Sequence, residues 1–373
     1  MISGGANVRR LLTTLLAVVI SVVAARGAAG QGQGRPHLKV LSDVPESQLF
    51  MVMNAVAGSL GVGCEHCHVR DAPKTKTVVG GWKFDRNDKP AKAKGLEMMR
   101  MTREINASRY GGRPVVTCFT CHHGELRVAG TPPLPPREGL GAAPAGPVLP
   151  SAQQVLAKYA AAVGGADAAV RFGITVLQAR DERSEDRRGE LTISFRGSDR
   201  YRVDLSMPPE PARSLAFAGS SGWVSVGGVP RLLTDADVVR LRRQALRYAP
   251  LKVPEPAEAL RVERVEPVRG RDTYAVVTDV DPKTTRTYFF DVTSGLLARE
   301  STITATALVP LQEQVDYEDY RPVDGVLLPF LVRTSDDAPY ATSTKTFTRI
   351  THGAPPDETL FAMPQPPATP AAK

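Results

Sequence analysis

Two short runs constrain this chain more than the rest of its 373 residues: Cys64-Glu65-His66-Cys67-His68 and Cys118-Phe119-Thr120-Cys121-His122. Each reads C-x-x-C-H, the spacing used for covalent attachment of a c-type haem. Thiols at i and i+3 lie on one side of a helical turn, where both can bond the two vinyl groups along one porphyrin edge. The histidine at i+4 then faces the iron, which takes imidazole as an axial base. The chain has four cysteines, and the two runs consume all of them. Two other uses of such pairs fit less well. A four-thiolate zinc site gives His68 and His122 no role, and the gap between the pairs exceeds an ordinary zinc-ribbon loop. A dithiol redox motif belongs inside a βαβ pattern, which the flanking sequence lacks. The expected cofactors are two covalently bound haem c groups. Cys64, Cys67, Cys118 and Cys121 are the thioether anchors, and His68 and His122 the proximal iron ligands.

The N-terminus carries an address. Arg9-Arg10 precede an apolar run from Leu11 to Ala25, and Ala28, Ala29 and Gly30 come just before Gln31. A charged start, an apolar middle and an A-x-G-type end read as a secretory signal peptide over residues 1–30. The run also approaches the lower limit for an uncleaved membrane anchor. Export to a periplasmic location agrees with haem attachment outside the cytoplasm. No cysteine lies at the cleavage region to bear a lipid.

Charge narrows the partners. The formal charge is +8, and from Gln31 to Val128 15 basic residues stand against 9 acidic ones. Lys83, Arg86, Lys89, Lys92 and Lys94 crowd one stretch. That suits an acidic protein partner or haem propionates, and equally a solvated face. Nucleic acid is not an expected partner, because no binding motif accompanies the charge.

A helical pattern leads into each C-x-x-C-H run. Pro45 offers a first-turn position, and Leu49, Met53, Val56 and Leu60 recur at spacings of four, three and four before Gly61 and Gly63. Pro90 precedes a second stretch to about Ala107, with Met98, Met101 and Ile105 on one face and Gly111-Gly112 beyond. Five of the eight methionines fall between Met51 and Met101, and a thioether is a usual sixth ligand of a low-spin haem. Met53 and Met101 are the candidate distal iron ligands; Met51 lies off its stripe. His66 and His123 read as surface residues or propionate neighbours, and His37 and His352 have no supporting context.

The run Ser59-Leu60-Gly61-Val62-Gly63-Cys64 with Met53 upstream, and the run from Arg100 to Asn106 with Gly111-Gly112 and Val116 to His122, resemble haem segments of the cytochrome c subunit of photosynthetic reaction centres. The resemblance covers about residues 39–128. It implies haems ligated by Met and His in a helix, turn, C-x-x-C-H arrangement. The chain departs from the family in having two segments where the tetrahaem subunit has four, and in placing His123 where the family carries Arg.

Residues 130–150 are dense in proline, glycine and alanine and read as a semi-stiff spacer. Ser151-Ala152-Gln153-Gln154 then has the form of a capping box, opening a helix that ends at Gly164-Gly165. Beyond it the period becomes two. Strands are expected at 174–179, 191–195, 201–205, 222–226, 274–280, 285–290 and 296–303, with one interrupting helix over Asp235 to Tyr248. The order of elements resembles the lipoprotein-carrier (LolA-like) half-barrel over about Ser151 to Pro364. It is carried by Val163-Gly164-Gly165, the run from Phe290 to Leu297, and the run from Asp319 to Pro329. Members of that family cradle acyl chains or other apolar ligands.

The expected fold is thus multidomain. A small, mainly α dihaem cytochrome c domain occupies 31–129, and an α+β domain with a curved antiparallel sheet occupies 151–364, with helices on the concave side. Residues 365–373 read as a disordered tail. The expected function is single-electron transfer between redox partners, including a membrane-bound complex, without catalytic turnover, the β-rich part serving for docking. Two alternatives belong to other classes. One is a peroxidase-like haem enzyme with one open iron site; the other is an apolar-ligand carrier or sensor acting through the half-barrel, with lipid or another apolar molecule as its ligand.

Overall fold

The structure, a computed structural model, describes residues 40–71, 82–131, 148–167, 172–184, 187–306, 308–335, 342–354 and 358–365. The chain parts into two compact units, Met1–Asp43 and Val44–Lys373. The signal-like run, most of the expected spacer and the expected tail lie outside the described residues. Among the described residues no helix is long and apolar enough to cross a membrane.

In the second unit the first element is helix α1 (Glu46–Leu60), with Pro45 at its N-cap rather than inside its first turn. Gly61 closes it in the left-handed conformation, and its N–H returns to the carbonyls of Ala57 and Gly58. A 3₁₀ turn, Cys64–His66, follows. Two short strands, β1 (Val69–Arg70) and β2 (Trp82–Lys83), pair antiparallel. Helices α2 (Pro90–Tyr110) and α3 (Cys118–His122) complete this part.

Among the described residues the remainder is one sheet, two α-helices and two short 3₁₀ turns, Ala257–Ala259 and Glu358–Phe361. Helix α4 (Ala152–Val163) precedes six strands: β3 (Ile174–Ser184), β4 (Arg187–Arg196), β5 (Arg200–Ser206), β6 (Arg213–Ala218), β7 (Ser221–Val226) and β8 (Val229–Leu232). After helix α5 (Asp235–Leu246) come seven more: β9 (Arg261–Val268), β10 (Arg271–Asp281), β11 (Thr284–Asp291), β12 (Leu297–Thr304), β13 (Leu311–Val323), β14 (Val326–Ser335) and β15 (Ser343–Ala354). Each set is a meander of antiparallel neighbours, and pairing of β15 with β3 joins the two into a single thirteen-stranded sheet.

Register explains how the sheet buries one face. Leu177 pairs with Ile193, Ile193 with Val203, and Val203 with Leu215, so one apolar row crosses four strands. Val276, Tyr288, Glu300 and Val315 form a comparable row across β10 to β13. Side chains from both meanders and from α4 and α5 join in one cluster, including Val155, Tyr159, Ile193, Phe217, Leu241, Phe290, Tyr317 and Phe347. A flat sheet of thirteen strands would be roughly 60 Å wide, while each twelve-residue helix spans about 18 Å. Strands so far apart reach the same two helices because the sheet curls around them. That is the curved antiparallel half-barrel, with its helices on the concave face.

All seven expected strands and both expected helices are present, each within a few residues. The expectation missed β6, β8, β9 and β13 to β15. Strand β13 reads Leu-Gln-Glu-Gln-Val-Asp-Tyr-Glu-Asp-Tyr at its start, and its acidic residues hide the period. Asp316 is nonetheless buried, held by Arg299 at 2.6 Å and Arg269 at 3.0 Å on the outer face.

Candidate functional site

The second C-x-x-C-H run is a helix built for that spacing. Thr117 caps α3: its hydroxyl accepts from Thr120 N–H at 3.3 Å, and Thr120 Oγ1 accepts from Thr117 N–H at 3.0 Å. Cys118 and Cys121 therefore share one side of the turn, with His122 following. The His122 Nδ1 pairs with the Glu125 carbonyl at 3.1 Å, which orients the ring and leaves Nε2 as its other nitrogen. In the first run the turn is tighter, yet His68 N–H reaches the Cys64 carbonyl at 2.9 Å and so completes one α-type turn. His68 lies edge-on to Phe84, ring centroids 5.0 Å apart, and Phe84 stacks on Trp82. The His68 Nδ1 is buried and has no protein partner. Burial pushes the Cys67 and Cys118 thiols up. It holds His68 below the ordinary imidazole range, helped by Lys92 and Lys89.

Helix α1 brings the two runs near one another, since it packs on α3. Gly124 N–H donates to Ser59 O at 3.0 Å, and a side chain at Gly61 would collide with the Gly124 carbonyl. Within each helix the buried stripe is one residue away from the expected one. In α1 the buried residues are Val52, Asn54, Ala55, Ala57 and Ser59; in α2 they are Met99, Thr102 and Asn106. The predicted stripes flank these: Met53 is half-buried and Met101 is 44% exposed. Met99 of the second helix faces protein, Met53 and Met98 are partly covered, and Met101 faces outward.

This arrangement fits two porphyrins on three counts. The donor set of each run is two thiols and an imidazole in helical register. Phe50, Phe84, Met101, Val115, Phe119 and Leu126 leave half or nearly half of their surface exposed, an apolar area that the faces of a flat macrocycle would cover. His68 retains a buried, unpaired nitrogen. The described residues contain no group of three or more His, Cys, Asp and Glu side chains placed to hold a metal ion.

The basic stretch is largely spoken for by its own neighbourhood. Lys83 pairs with Asp71 at 3.0 Å, Arg86 with Asp88 at 2.5 Å and Lys94 with Glu97 at 3.0 Å. Lys92 donates to the Phe84 and Arg86 carbonyls, and Lys89 to that of Glu65. His66 is half-buried, and His123 is the left-handed C-cap of α3. His352 stacks on Phe172 with centroids 3.9 Å apart and bonds Thr175 at 2.9 Å, a packing role.

The concave face of the sheet is a second site, with no catalytic constellation predicted for it. A cavity of about 230 Å³ opens between α4 and strands β10 and β11. Its apolar wall is Val155, Tyr274 and Phe290, and its rim is Gln154, Lys158, Asp291 and Gly295. Lys158 lies along the rim turn and donates to the Val292 carbonyl at 2.7 Å; a side chain at Gly295 would strike it. Deeper on the same face sits a polar band that sequence reasoning missed. Arg286 pairs with Glu255 at 2.6 Å and Glu300 at 3.4 Å, and Tyr288 donates to Glu255 at 2.8 Å. Arg247 reaches Glu313 at 3.4 Å. Lys252 donates to the Ala249 carbonyl at 2.6 Å, and burial pushes it down to about 7. Burial also raises the Glu300 carboxyl. The signal for this band was present as charges at alternate strand positions, Arg286 and Glu300 among them, but alternation alone does not say which face is inward.

No protein-family model matches the sequence, and no curated protein matches it. Solved structures do resemble the fold. A LolA superfamily protein from Nitrosomonas europaea shares 13% identity at TM-score 0.39, covering 57% of this chain and 98% of its own. A putative outer membrane lipoprotein-sorting protein domain from Vibrio parahaemolyticus shares 10% identity at TM-score 0.37, covering 56% and 94%. A DUF1329 family protein from Desulfovibrio piger shares 10% identity at TM-score 0.38, covering 57% and 95%. These are likenesses of the sheet and its helices, and carry no argument about activity. What corrects the expected function is the architecture of the chain itself. Most of the described elements belong to the one thirteen-stranded curved sheet and the helices packed against it. A dihaem cytochrome c defined by iron and electron transport, with the β-rich part as an accessory, gives way to the reading that puts the half-barrel at the centre.

Proposed function

We propose that this chain is an exported carrier or sensor of an apolar ligand, which it holds on the concave face of its half-barrel. The cavity between α4 and β10–β11 supports the reading most directly: an apolar wall, a polar rim and an opening at the surface are the features of a site for a largely hydrocarbon molecule with one polar end. The wall is continuous with the apolar cluster under the sheet. A longer chain could therefore extend inward by displacing side chains of α4 without exposing backbone polar groups. The N-terminal signal-like run agrees with export, the setting in which apolar molecules cross an aqueous compartment between membranes.

Haem c at the two C-x-x-C-H runs is part of the same proposal, held by Cys64, Cys67, Cys118 and Cys121. His68 and His122 serve as proximal ligands, and Met53 and Met101 as distal ones. Bound haem supplies a one-electron redox centre. The exposed Met101, the partly covered Met53 and the exposed apolar side chains around them support this assignment. A separate domain over 31–129, joined by the proline-rich spacer, belongs to the proposal too.

Displacement of a fluorescent apolar probe by a long-chain fatty acid tests the carrier reading. Val155→Phe, which adds volume to the cavity wall, is expected to weaken fatty-acid binding several-fold while the fold persists by circular dichroism. Unchanged affinity in a folded Val155→Phe protein contradicts the assignment of this cavity.

A further inference from the structure

We propose that Asn106 is a positioning residue that fixes the second haem segment against helix α2, and so sets how His122 and the side chains of α2 meet one iron. The inference rests on the haem assignment above. Asn106 sits in the last turns of α2 and leaves 3% of its surface to solvent. Its side-chain amide is used in both senses on one residue of the returning chain: Nδ2 donates to the Val116 carbonyl at 2.7 Å, and Oδ1 accepts from Val116 N–H at 2.9 Å. Its backbone carbonyl accepts from Gly111 and Gly112, the two left-handed glycines that turn the chain. One residue therefore holds the helix end, the turn and the returning segment that leads into the haem segment.

What lies beyond Val116 makes the clamp consequential. Thr117, the next residue, is the N-cap whose reciprocal bonds with Thr120 form α3. Any slack at Val116 passes directly into the orientation of Cys118, Cys121 and His122. Helices α2 and α3 touch, and Met101 stands on α2 five positions before Asn106. The amide thus fixes the register between the helix bearing a candidate distal ligand and the helix bearing the proximal one. A buried asparagine with both amide groups used is costly to replace, because alanine leaves the Val116 N–H and C=O without partners.

The test is carbon monoxide binding to the ferrous full-length protein from a host that matures c-type haem, with intact mass counting covalent haem. The wild type is expected to carry two haems and bind no carbon monoxide, both irons being six-coordinate. Asn106→Ala is expected to keep both haems by mass, to bind roughly one carbon monoxide per chain, and to shift the midpoint potential of one haem only. Asn106→Asp keeps the acceptor for Val116 N–H and is expected to lie between; it is read alone if the alanine variant does not accumulate. Leu328→Ala, a core truncation in β14, controls for general loss of stability and is expected to bind none. Full exclusion of carbon monoxide with unchanged potentials in Asn106→Ala overturns the positioning role while the haem assignment stands. Wild-type protein without haem overturns both and is recognised by its mass alone.

Discussion

Lys252 leaves 2% of its surface to solvent and has a backbone carbonyl and the Tyr317 ring, 5.3 Å away, as its near neighbours. With its pKa lowered to about 7 by burial, the unfolded chain binds more protons than the folded one from there up to the ordinary lysine range. Stability therefore rises with pH across that window and is lowest below pH 7. Lys345, lowered to about 8 by burial against the opposing pull of Asp181, adds a smaller slope of the same sign. Lys252→Met keeps the side chain's length and removes its charge. It is expected to stabilise the protein at neutral pH by on the order of 1–3 kcal/mol, and to flatten part of the rise. Urea unfolding on both sides of pH 7 measures this, and parallel curves for the two proteins contradict it. At this scale the sequence was informative about identity and weak about direction. The thiols, imidazoles and methionines could be named from spacing alone. The one-residue offset of the buried stripes, which leaves Met101 outside, depends on the small residues Ala55 and Ser59 and on the polar Thr102 and Asn106, which a search for apolar periodicity passes over.

Helix α4 shows how much of an element can be legible. Its capping box was explicit in Ser151 and Gln154, and the structure has both bonds, 3.2 Å and 2.8 Å. Ser151→Ala is expected to cost about 1 kcal/mol. The other end was readable only as a stop. Gly164 has φ 127°, and a side chain there would collide with the Gly325 carbonyl in the turn between β13 and β14. Gly164→Ala is therefore expected to cost more than Ser151→Ala, by at least about 1 kcal/mol. Thermal melts of the two variants check the order; equal losses would mean that α4 is not seated on that turn. The turn lies far along the chain, so no local pattern could announce the contact. Strands β13 to β15 escaped for a related reason. Their outward positions carry paired charges such as Glu318 and Arg333 that read as loop until the partner strand is known.

At the largest scale the second unit is governed by the curl of one sheet. Thirteen antiparallel strands converge on two helices, and the concave face buries an apolar cluster, a cavity of about 230 Å³ and a charged band within reach of one another. Cysteine spacing dominated the sequence because it is specific, whereas the half-barrel is spread over many short alternating segments joined by pairings such as Phe347 with Ala179. The curvature depends on which distant strands meet, and so the larger part of the chain spoke more quietly than its two short runs. A ligand held by the folded state alone stabilises it by mass action, about 2.7 kcal/mol at a hundredfold excess over its dissociation constant. The most direct measurement is native mass spectrometry of the full-length protein purified from the cells that export it. A discrete, non-covalent, apolar molecule is expected, one that organic extraction or denaturation releases and that Val155→Phe reduces. Protein that carries no releasable molecule, and whose melting temperature no fatty acid or other lipid raises, would contradict it.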